Sequence, residues 1–307
     1  MKIYNNKLKE SWIIDRIIDE WTLYNKDIVT KNLINSDIIW IIANWKLKGI
    51  PKVYLKNKKV VASIYHIDFE NFKKEDEKNF YKLDKYVDFY HVISLKTKEQ
   101  LQKLTTKKIY SIPFWVNQNH FFHISNKTEL RKKYGFSKND YILGSFQRDT
   151  EGSDLKSPKL IKGPDIFVEL VKKINYKNPN LKVLLAGTRR QYIINMLKQE
   201  NIKFTYFEMV DFVKLNELYN LLDLYLVTSR LEGGPQAILE SAVTKTPILS
   251  TDVGVASEIL HENAIFSPNS FELSQPMTEY AYKKSIEFLI PSGINKFRRM
   301  FEDVYES

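Results

Sequence analysis

Residues 228–258 read TSRLEGGPQAILESAVTKTPILSTDVGVASE. An apolar, strand-like run (LYLV, 224–227) comes just before them. Gly233-Gly234-Pro235 then interrupts the chain, and a helical pattern occupies 235–244. The order is strand, glycine loop, helix. A proline at the first helical position wastes no amide and is pre-set for the turn. The amides exposed at such a helix start seat an anion, a phosphate above all. Glu232 and Glu240 flank that start, with seven residues between them. Ionised carboxylates accept hydrogen bonds from hydroxyls. A ligand carrying both phosphates and hydroxyls, such as a nucleotide sugar, suits the combination.

Working outward, the same alternation recurs along the chain. Strand-like runs are expected at 141–146, 181–186, 202–207, 223–228, 246–250 and 263–266, with helices over 164–175, 189–199, 213–222, 235–244 and 255–261. Polar turns come after the strands at Gln147-Arg148, Gly187-Thr188, Ser229-Arg230 and Asp252-Val253-Gly254. Ligands bind outside the carboxyl ends of strands in a doubly wound sheet, so these turns are site candidates. The first part alternates too: strands at 37–43, 59–65, 89–95 and 108–112, helices at 70–85 and 96–104. Ile13, Ile14, Ile17, Ile18 and Trp21 form the stripe of a core-facing helix over 10–24. Near-continuous apolar strands between helices indicate parallel α/β sheets. Nine of the ten glycines lie at position 135 or later, and the chain changes character near IPFWVNQNHF (112–121). The expected organisation is a Rossmann-like domain over 1–117, a second over 118–275, and closing helices over 276–307.

Length and composition agree with this reading. With 307 residues, 43% hydrophobic and 27% charged, the chain is long enough for two domains and too apolar for wholesale disorder. There is no cysteine, which excludes disulfides and thiolate chemistry and suits a reducing cytoplasm. The first residues, MKIYNNKLKESW, lack the apolar core of a signal peptide, and no apolar run approaches the roughly 20 residues of a membrane span. The net charge is +10, and residues 1–117 hold 22 Lys and Arg against 14 Asp and Glu. A basic first half is suited to peripheral contact with an anionic membrane surface. A lysine-rich coding bias would account for the excess equally well.

The run EGGPQAILESAVTKTPILSTDVGVASEIL resembles the donor-site signature of the family 4 retaining glycosyltransferases, which have the GT-B fold. SFQRD (145–149), with KGPDIFVELVKKI (162–174) after it, resembles that family's arginine and lysine pair, and IPFWVNQNHFF (112–122) resembles its domain-linking segment. The resemblance covers about the last 195 residues and the first 110 only in outline. It implies two Rossmann-like domains facing across a cleft, with a short N-terminal domain on the acceptor side. Arg148 and Lys162 would clamp the donor diphosphate, where fixed cations stabilise the departing charge. The segment between them, DTEGSDLKSPKLI, is longer than usual in the family, so Lys156 or Lys159 stands as an alternative to Lys162. Glu232 would meet hydroxyls of the donor sugar and Glu240 those of the ribose. Gly233, Gly234, Pro235 and Gln236 would lie against sugar or phosphate, since small residues allow close backbone approach. Thr188 and Val210, each after a strand, would touch the nucleotide. His66, in SIYHID at a strand end, would face the donor sugar across the cleft.

The resemblance therefore implies a nucleotide-sugar donor and an acceptor hydroxyl on a glycan or lipid-linked glycan, in surface polysaccharide or glycolipid synthesis on the cytoplasmic side of the membrane. No cofactor and no metal are expected: no Asp-x-Asp pair occurs, and His120 and His123 have no further ligand partner. No nucleic-acid partner is expected. Motifs of P-loop NTPases, dinucleotide-binding dehydrogenases and serine hydrolases do not occur. Two rival readings are a GT-B-fold nucleotide-sugar epimerase or phosphorylase, and a non-catalytic nucleotide-sugar or nucleic-acid binder.

Overall fold

The computed structural model describes residues 1–5, 13–43 and 50–307. The chain divides into two compact units, Met1–Trp115 together with Phe288–Ser307, and Val116–Glu287.

The first unit is built on six strands: β1 (Ile3–Asn5), β2 (Val29–Thr30), β3 (Ile38–Ile41), β4 (Lys59–Ile64), β5 (Phe89–Val92) and β6 (Ile109–Ser111). All pair in parallel, in the order β2-β1-β3-β4-β5-β6. Every residue of β3 is buried, as a parallel strand covered on both faces requires. Side chains alternate across the sheet. Ile38 and Trp40 join a core with Trp21, Trp115, Phe297 and Phe301, while Ile39 and Ile41 join one with Val60, Ala62, Leu83 and Leu101. The helix Ile13–Tyr24 buries Ile14, Ile17, Ile18 and Trp21 against the first of these cores. Residues 10–12, expected to open this helix, lie outside the described residues. β1, β2 and the helix Lys52–Asn57 are elements that sequence pattern did not single out; two to six residues are too few to show a period.

The second unit holds β7 (Tyr141–Ser145), β8 (Thr150–Glu151), β9 (Ser157–Pro158), β10 (Leu181–Ala186), β11 (Phe204–Phe207), β12 (Leu224–Val227), β13 (Ile248–Thr251) and β14 (Ile265–Phe266). Its main sheet is parallel throughout, in the order β11-β10-β7-β12-β13-β14. Numbered within the sheet, that is 3-2-1-4-5-6, the order of dinucleotide-binding sheets. The order reverses between β7 and β12, and doubly wound sheets take ligands outside the carboxyl ends of the strands at such a reversal. The segment after β7, read from sequence as an irregular loop, is a short antiparallel hairpin of β8 and β9.

The expected closing segment 276–307 is shared between the units. Its first helix, Thr278–Ser285, belongs to the second unit and its last, Ser292–Glu306, to the first. The reason lies in the stripe Phe297, Met300, Phe301 and Val304, which is buried among the tryptophans of the first core. Phe301 lies 5.3 Å from Trp40 and 5.3 Å from Trp21, ring centre to ring centre. Periodicity shows that a helix has an apolar face; which core receives it is a tertiary fact. Among the described residues, no helix is long and apolar enough to cross a membrane.

Candidate functional site

The turn after β12 carries Thr228, Ser229, Arg230 and Glu232, and the turn after β7 carries Gln147 and Arg148. A third segment, the 3-10 turn Leu160–Lys162 and the helix Pro164–Lys177 behind it, docks against them. Gly163 makes this docking possible. It has φ of 60°, and a Cβ there would lie 1.8 Å from the Thr228 carbonyl oxygen, so only glycine fits. The Thr228 hydroxyl donates to the Gly163 carbonyl at 2.8 Å, and the Arg230 amide donates to that of Ile161 at 2.9 Å. The Arg230 guanidinium grips Asp165 with two bonds of 2.7 and 2.6 Å.

The result is that Lys162 and Glu232, 70 residues apart, form an ion pair through Lys162 Nζ and Glu232 Oε1. Ser229 Oγ lies 3.0 Å from the same carboxylate oxygen and 3.3 Å from Gln147 Oε1. Gln147 Nε2 donates to the Lys162 carbonyl at 3.0 Å. Gln147 and Ser229, which the sequence marked as members of candidate turns without a role of their own, thus tie the two strand ends across the reversal point. Each stands two residues beyond the last residue of its strand, and that position at a carboxyl end is the signal that would have found them.

Lys159 feels the charges of Arg148, Lys162 and Glu232 together. Arg148 is exposed, and its Nε donates to the Thr150 carbonyl at 3.1 Å. Lys159 is half-buried; desolvation, and then the charges of Arg148 and Lys162, hold its amine below the usual lysine range. Lys156 is exposed in the segment between the hairpin strands. Of the alternatives weighed from sequence, Lys162 therefore touches Glu232, and Lys159 shares the electrostatic environment of Arg148 and Lys162.

The glycine loop sits on the turn after β13. Gly254 has φ of 50°, and a Cβ there would lie 2.5 Å from the Gly233 oxygen and 2.8 Å from the Gly234 nitrogen. Pro235, expected as the first helical residue, is instead the N-cap of the helix Gln236–Val243, which starts one residue later than expected, and its carbonyl accepts from the Ile238 amide at 2.9 Å. Glu240, one turn into this helix, is buried, and the Tyr219 hydroxyl donates to its Oε2 at 2.9 Å. Burial, and then the Glu240 charge, push the Tyr219 phenol well up, so it remains a donor. Tyr225, beside it, is pushed up to about 12 by burial and accepts from the Phe146 amide at 3.1 Å.

Thr188 is exposed after β10, and Val210 is half-buried after β11, both at carboxyl ends of the same sheet. His66 is exposed after β4, at a carboxyl end of the first unit's sheet. His120 stacks on Phe212 at 4.5 Å and His123 Nδ1 contacts the Thr244 carbonyl at 3.1 Å, so these two histidines take separate partners. Among the described residues, no group of three or more His, Asp and Glu side chains is arranged to hold a metal ion.

The chain was compared with known proteins. It is 25% identical over 167 residues to protein CapJ of Staphylococcus aureus, covering 53% of this chain and 41% of that protein. It is 24% identical over 187 residues to an alpha-galactosylglucosyldiacylglycerol synthase of Streptococcus pneumoniae, covering 57% and 46% respectively. The chain thus spans less than half the length of these curated relatives. Among solved structures it resembles Anabaena HepE in complex with UDP, with a TM-score of 0.78, 14% identity, and coverage of 99% of this chain and 100% of that one. A glycosyltransferase from Rickettsia africae aligns with a TM-score of 0.63 and 17% identity, over 97% and 84%. These likenesses establish the architecture: an α/β protein of the GT-B class, built on two parallel six-stranded sheets. The family model described as glycosyl transferases group 1 matches residues 126–301, more than half of the sequence, and the chain belongs to that family.

Proposed function

We propose that the protein is a retaining glycosyltransferase of the family 4 type, moving a sugar from a nucleotide-diphosphate donor to an acceptor hydroxyl. The observation that carries this reading is the meeting of Lys162 and Glu232 at the reversal point of the second sheet, with Arg148 and Lys159 alongside. A carboxylate for sugar hydroxyls and cations for a diphosphate stand together at the place where this topology binds nucleotides. Glu232 accepts from donor-sugar hydroxyls, and the buried Glu240, oriented by Tyr219, accepts from the ribose. Gly233, Gly234, Pro235 and Gln236 line the sugar and phosphate, and Thr188 and Val210 the nucleotide. His66, at a carboxyl end of the first unit's sheet, is that unit's candidate for contact with the donor sugar.

In the reaction the bond between the anomeric carbon and the phosphate oxygen breaks, leaving negative charge on the nucleoside diphosphate. The acceptor oxygen attacks from the same face, and the departing phosphate takes its proton. Fixed cations stabilise the leaving charge without reorganisation, so Arg148 and Lys162 supply the barrier lowering and Glu232 the orientation. No metal or cofactor is required by this scheme.

The acceptor in this reading is a glycan or lipid-linked glycan; that class is supported by the relatives, one named as an alpha-galactosylglucosyldiacylglycerol synthase and another as a lipopolysaccharide core biosynthesis mannosyltransferase of Rhizobium meliloti. A UDP-sugar donor is supported by HepE, whose solved complexes hold UDP and UDP-glucose. Thermal-shift measurements with UDP-, GDP-, ADP- and CMP-sugars identify the donor, because a ligand of the native state raises its melting temperature. With that donor, Arg148→Ala and Glu232→Ala each lower transfer about 100-fold or more, the scale of losing one charge-stabilising donor, with the melting temperature kept. Full activity in both variants sinks the assignment.

A further inference from the structure

Arg148 lies on an exposed turn, yet the residue after it is almost completely buried. Asp149 is 1% exposed and Arg190, after β10, is 0% exposed. Their Oδ2 and Nε atoms stand 2.9 Å apart. Arg190 Nη2 also donates to Ser145 Oγ at 3.2 Å, at the carboxyl end of β7. Around this pair the two turns are bonded together. The Asp149 and Thr150 amides both donate to the Arg189 carbonyl at 3.1 Å. The Thr150 hydroxyl donates to Asp149 Oδ1 at 2.6 Å and accepts from the Tyr192 amide at 2.9 Å. Two carbonyls of the clamped segment then bond residues of the candidate site, one through a guanidinium and one through a backbone amide. That of Thr150 accepts from Arg148 Nε at 3.1 Å, and that of Asp149 accepts from the Lys159 amide at 2.7 Å.

A buried ion pair is a poor source of stability, because desolvating both charges offsets their attraction and apolar replacements are often as stable. Burial works against both charged forms here: it holds Asp149 above the usual carboxylate range and Arg190 below the usual guanidinium range. Arg190 Nη1, Arg190 Nε and Asp149 Oδ2 are all buried without an aligned hydrogen bond among the described residues, a further cost, so the pair is a close ion contact and not a bonded fork. What the two side chains do supply is placement, through the Arg190 bond to Ser145 and the Thr150 bond to Asp149.

We propose that Asp149 and Arg190 are positioning residues, which lock the turn after β7 onto the turn after β10 so that Arg148 presents its charge to the donor diphosphate. This rests on the donor-site reading above. Neither residue touches the donor; both act through the Thr150 carbonyl that holds Arg148 Nε.

The test is a cycle of UDP and inorganic pyrophosphate affinities measured by calorimetry on the full chain. Asp149→Asn/Arg190→Gln removes both charges, the asparagine isosteric and the glutamine shorter than arginine. Its binding of UDP and pyrophosphate falls about tenfold or more, with the circular dichroism spectrum unchanged. In an Arg148→Ala background the same two substitutions weaken binding less than about threefold, because the side chain they position is gone. Should the neutral double variant fail to fold, Arg190→Lys keeps the charge but not the guanidinium, and the same cycle is run with it; a loss of about threefold or more that disappears without Arg148 is expected. Wild-type affinity in the folded variant, or an equal loss with and without Arg148, overturns the proposal. If Arg148→Ala alone leaves both affinities unchanged, the donor-site reading fails, and the positioning role with it.

Discussion

The two units contain sheets of the same kind, six parallel strands each, and use them for opposite ends. In the first, the sheet's central residues are committed to packing: Trp21, Trp40, Trp115, Phe114, Phe297 and Phe301 fill one face. Its fully buried His91 is closed into a chain of hydrogen bonds with Trp40, Ser63 and Ile112. In the second unit, eight of the chain's ten glycines lie between 135 and 254, and charged residues crowd the carboxyl ends of β7, β10 and β12. A parallel α/β layer is therefore a neutral scaffold, and chemistry depends on the turns at the carboxyl ends of its strands. Tight turns with glycine bring backbones close enough for side chains from distant segments to meet; large rings in the same places would hold them apart.

The sharpest way to break this comparison is to remove the helix Ser292–Glu306. Deleting residues 288–307 exposes the aromatic face of the first unit and abolishes its cooperative unfolding, while near-ultraviolet signals from the second unit persist. A milder version is Phe297→Ala. Phe297 is 0% exposed, stacks parallel to Phe114 at 5.6 Å and lies 5.1 Å from Trp115. Loss of such a ring costs about 3–5 kcal/mol, read as a drop in the denaturation midpoint. UDP affinity should change far less than stability, since the change lies outside the second unit. Equal losses in stability and UDP affinity would show that the two functions are not divided in this way.

The buried histidine offers a second contrast, through pH. Ile112 O can only accept, so His91 Nε2 carries the proton and Nδ1 accepts from the Ser63 hydroxyl at 2.9 Å. Burial holds the imidazole down to about 4, against 6.5 ordinarily. The folded protein thus keeps His91 neutral where the unfolded chain takes up a proton. The stabilisation is complete above about pH 6.5 and is lost as pH falls from there through about 4, amounting to about 3 kcal/mol. In His91→Gln the protein starts less stable at pH 7, but the wild-type loss between pH 6.5 and 4 is flattened by that amount. A parallel pH profile for the two proteins would mean that His91 does not titrate as its surroundings require.

The same contrast explains what was legible in the sequence. The strands β10 and β12 and the helix starting beside Pro235 are local facts, written in apolar runs, glycines and proline, and sequence pattern placed each to within about two residues. The carboxylates Glu232 and Glu240 and the cation Lys162 were marked by spacing and by resemblance, and the fold brings Lys162 to Glu232. The hairpin of β8 and β9 was not legible, because pairs of two residues have no period and its register is set by the Asp149 and Lys159 backbone bond. Nor was the partnership of Asp149 with Arg190, two charged residues in polar turns that become buried only when two loops close on each other. Sequence periodicity reports which face of an element is apolar; it carries no information about which distant turn will cover a charge.

The smallest expected effect tests the claim that glycine turns, rather than the sheet itself, build the site. Gly254 lies beyond β13 with φ of 50°, against the peptide joining Gly233 to Gly234. Alanine there meets two penalties: a left-handed conformation that a Cβ disfavours, and a contact of 2.5 Å with the Gly233 oxygen that backbone must relieve. The stability cost is about 1–3 kcal/mol, less than either change in the first unit's core. Relief has to come from the glycine loop, since the turn after β13 is anchored by the Thr251 hydroxyl on the Ser229 carbonyl at 2.6 Å. Gly254→Ala therefore shifts the loop beside Glu232 and weakens UDP binding by more than its effect on melting temperature alone would suggest. A surface glycine changed to alanine at Gly135, where a Cβ meets nothing within 4 Å, supplies the control for backbone strain without a neighbour. If both variants leave UDP affinity alike, the close approach of the two turns does not shape the site.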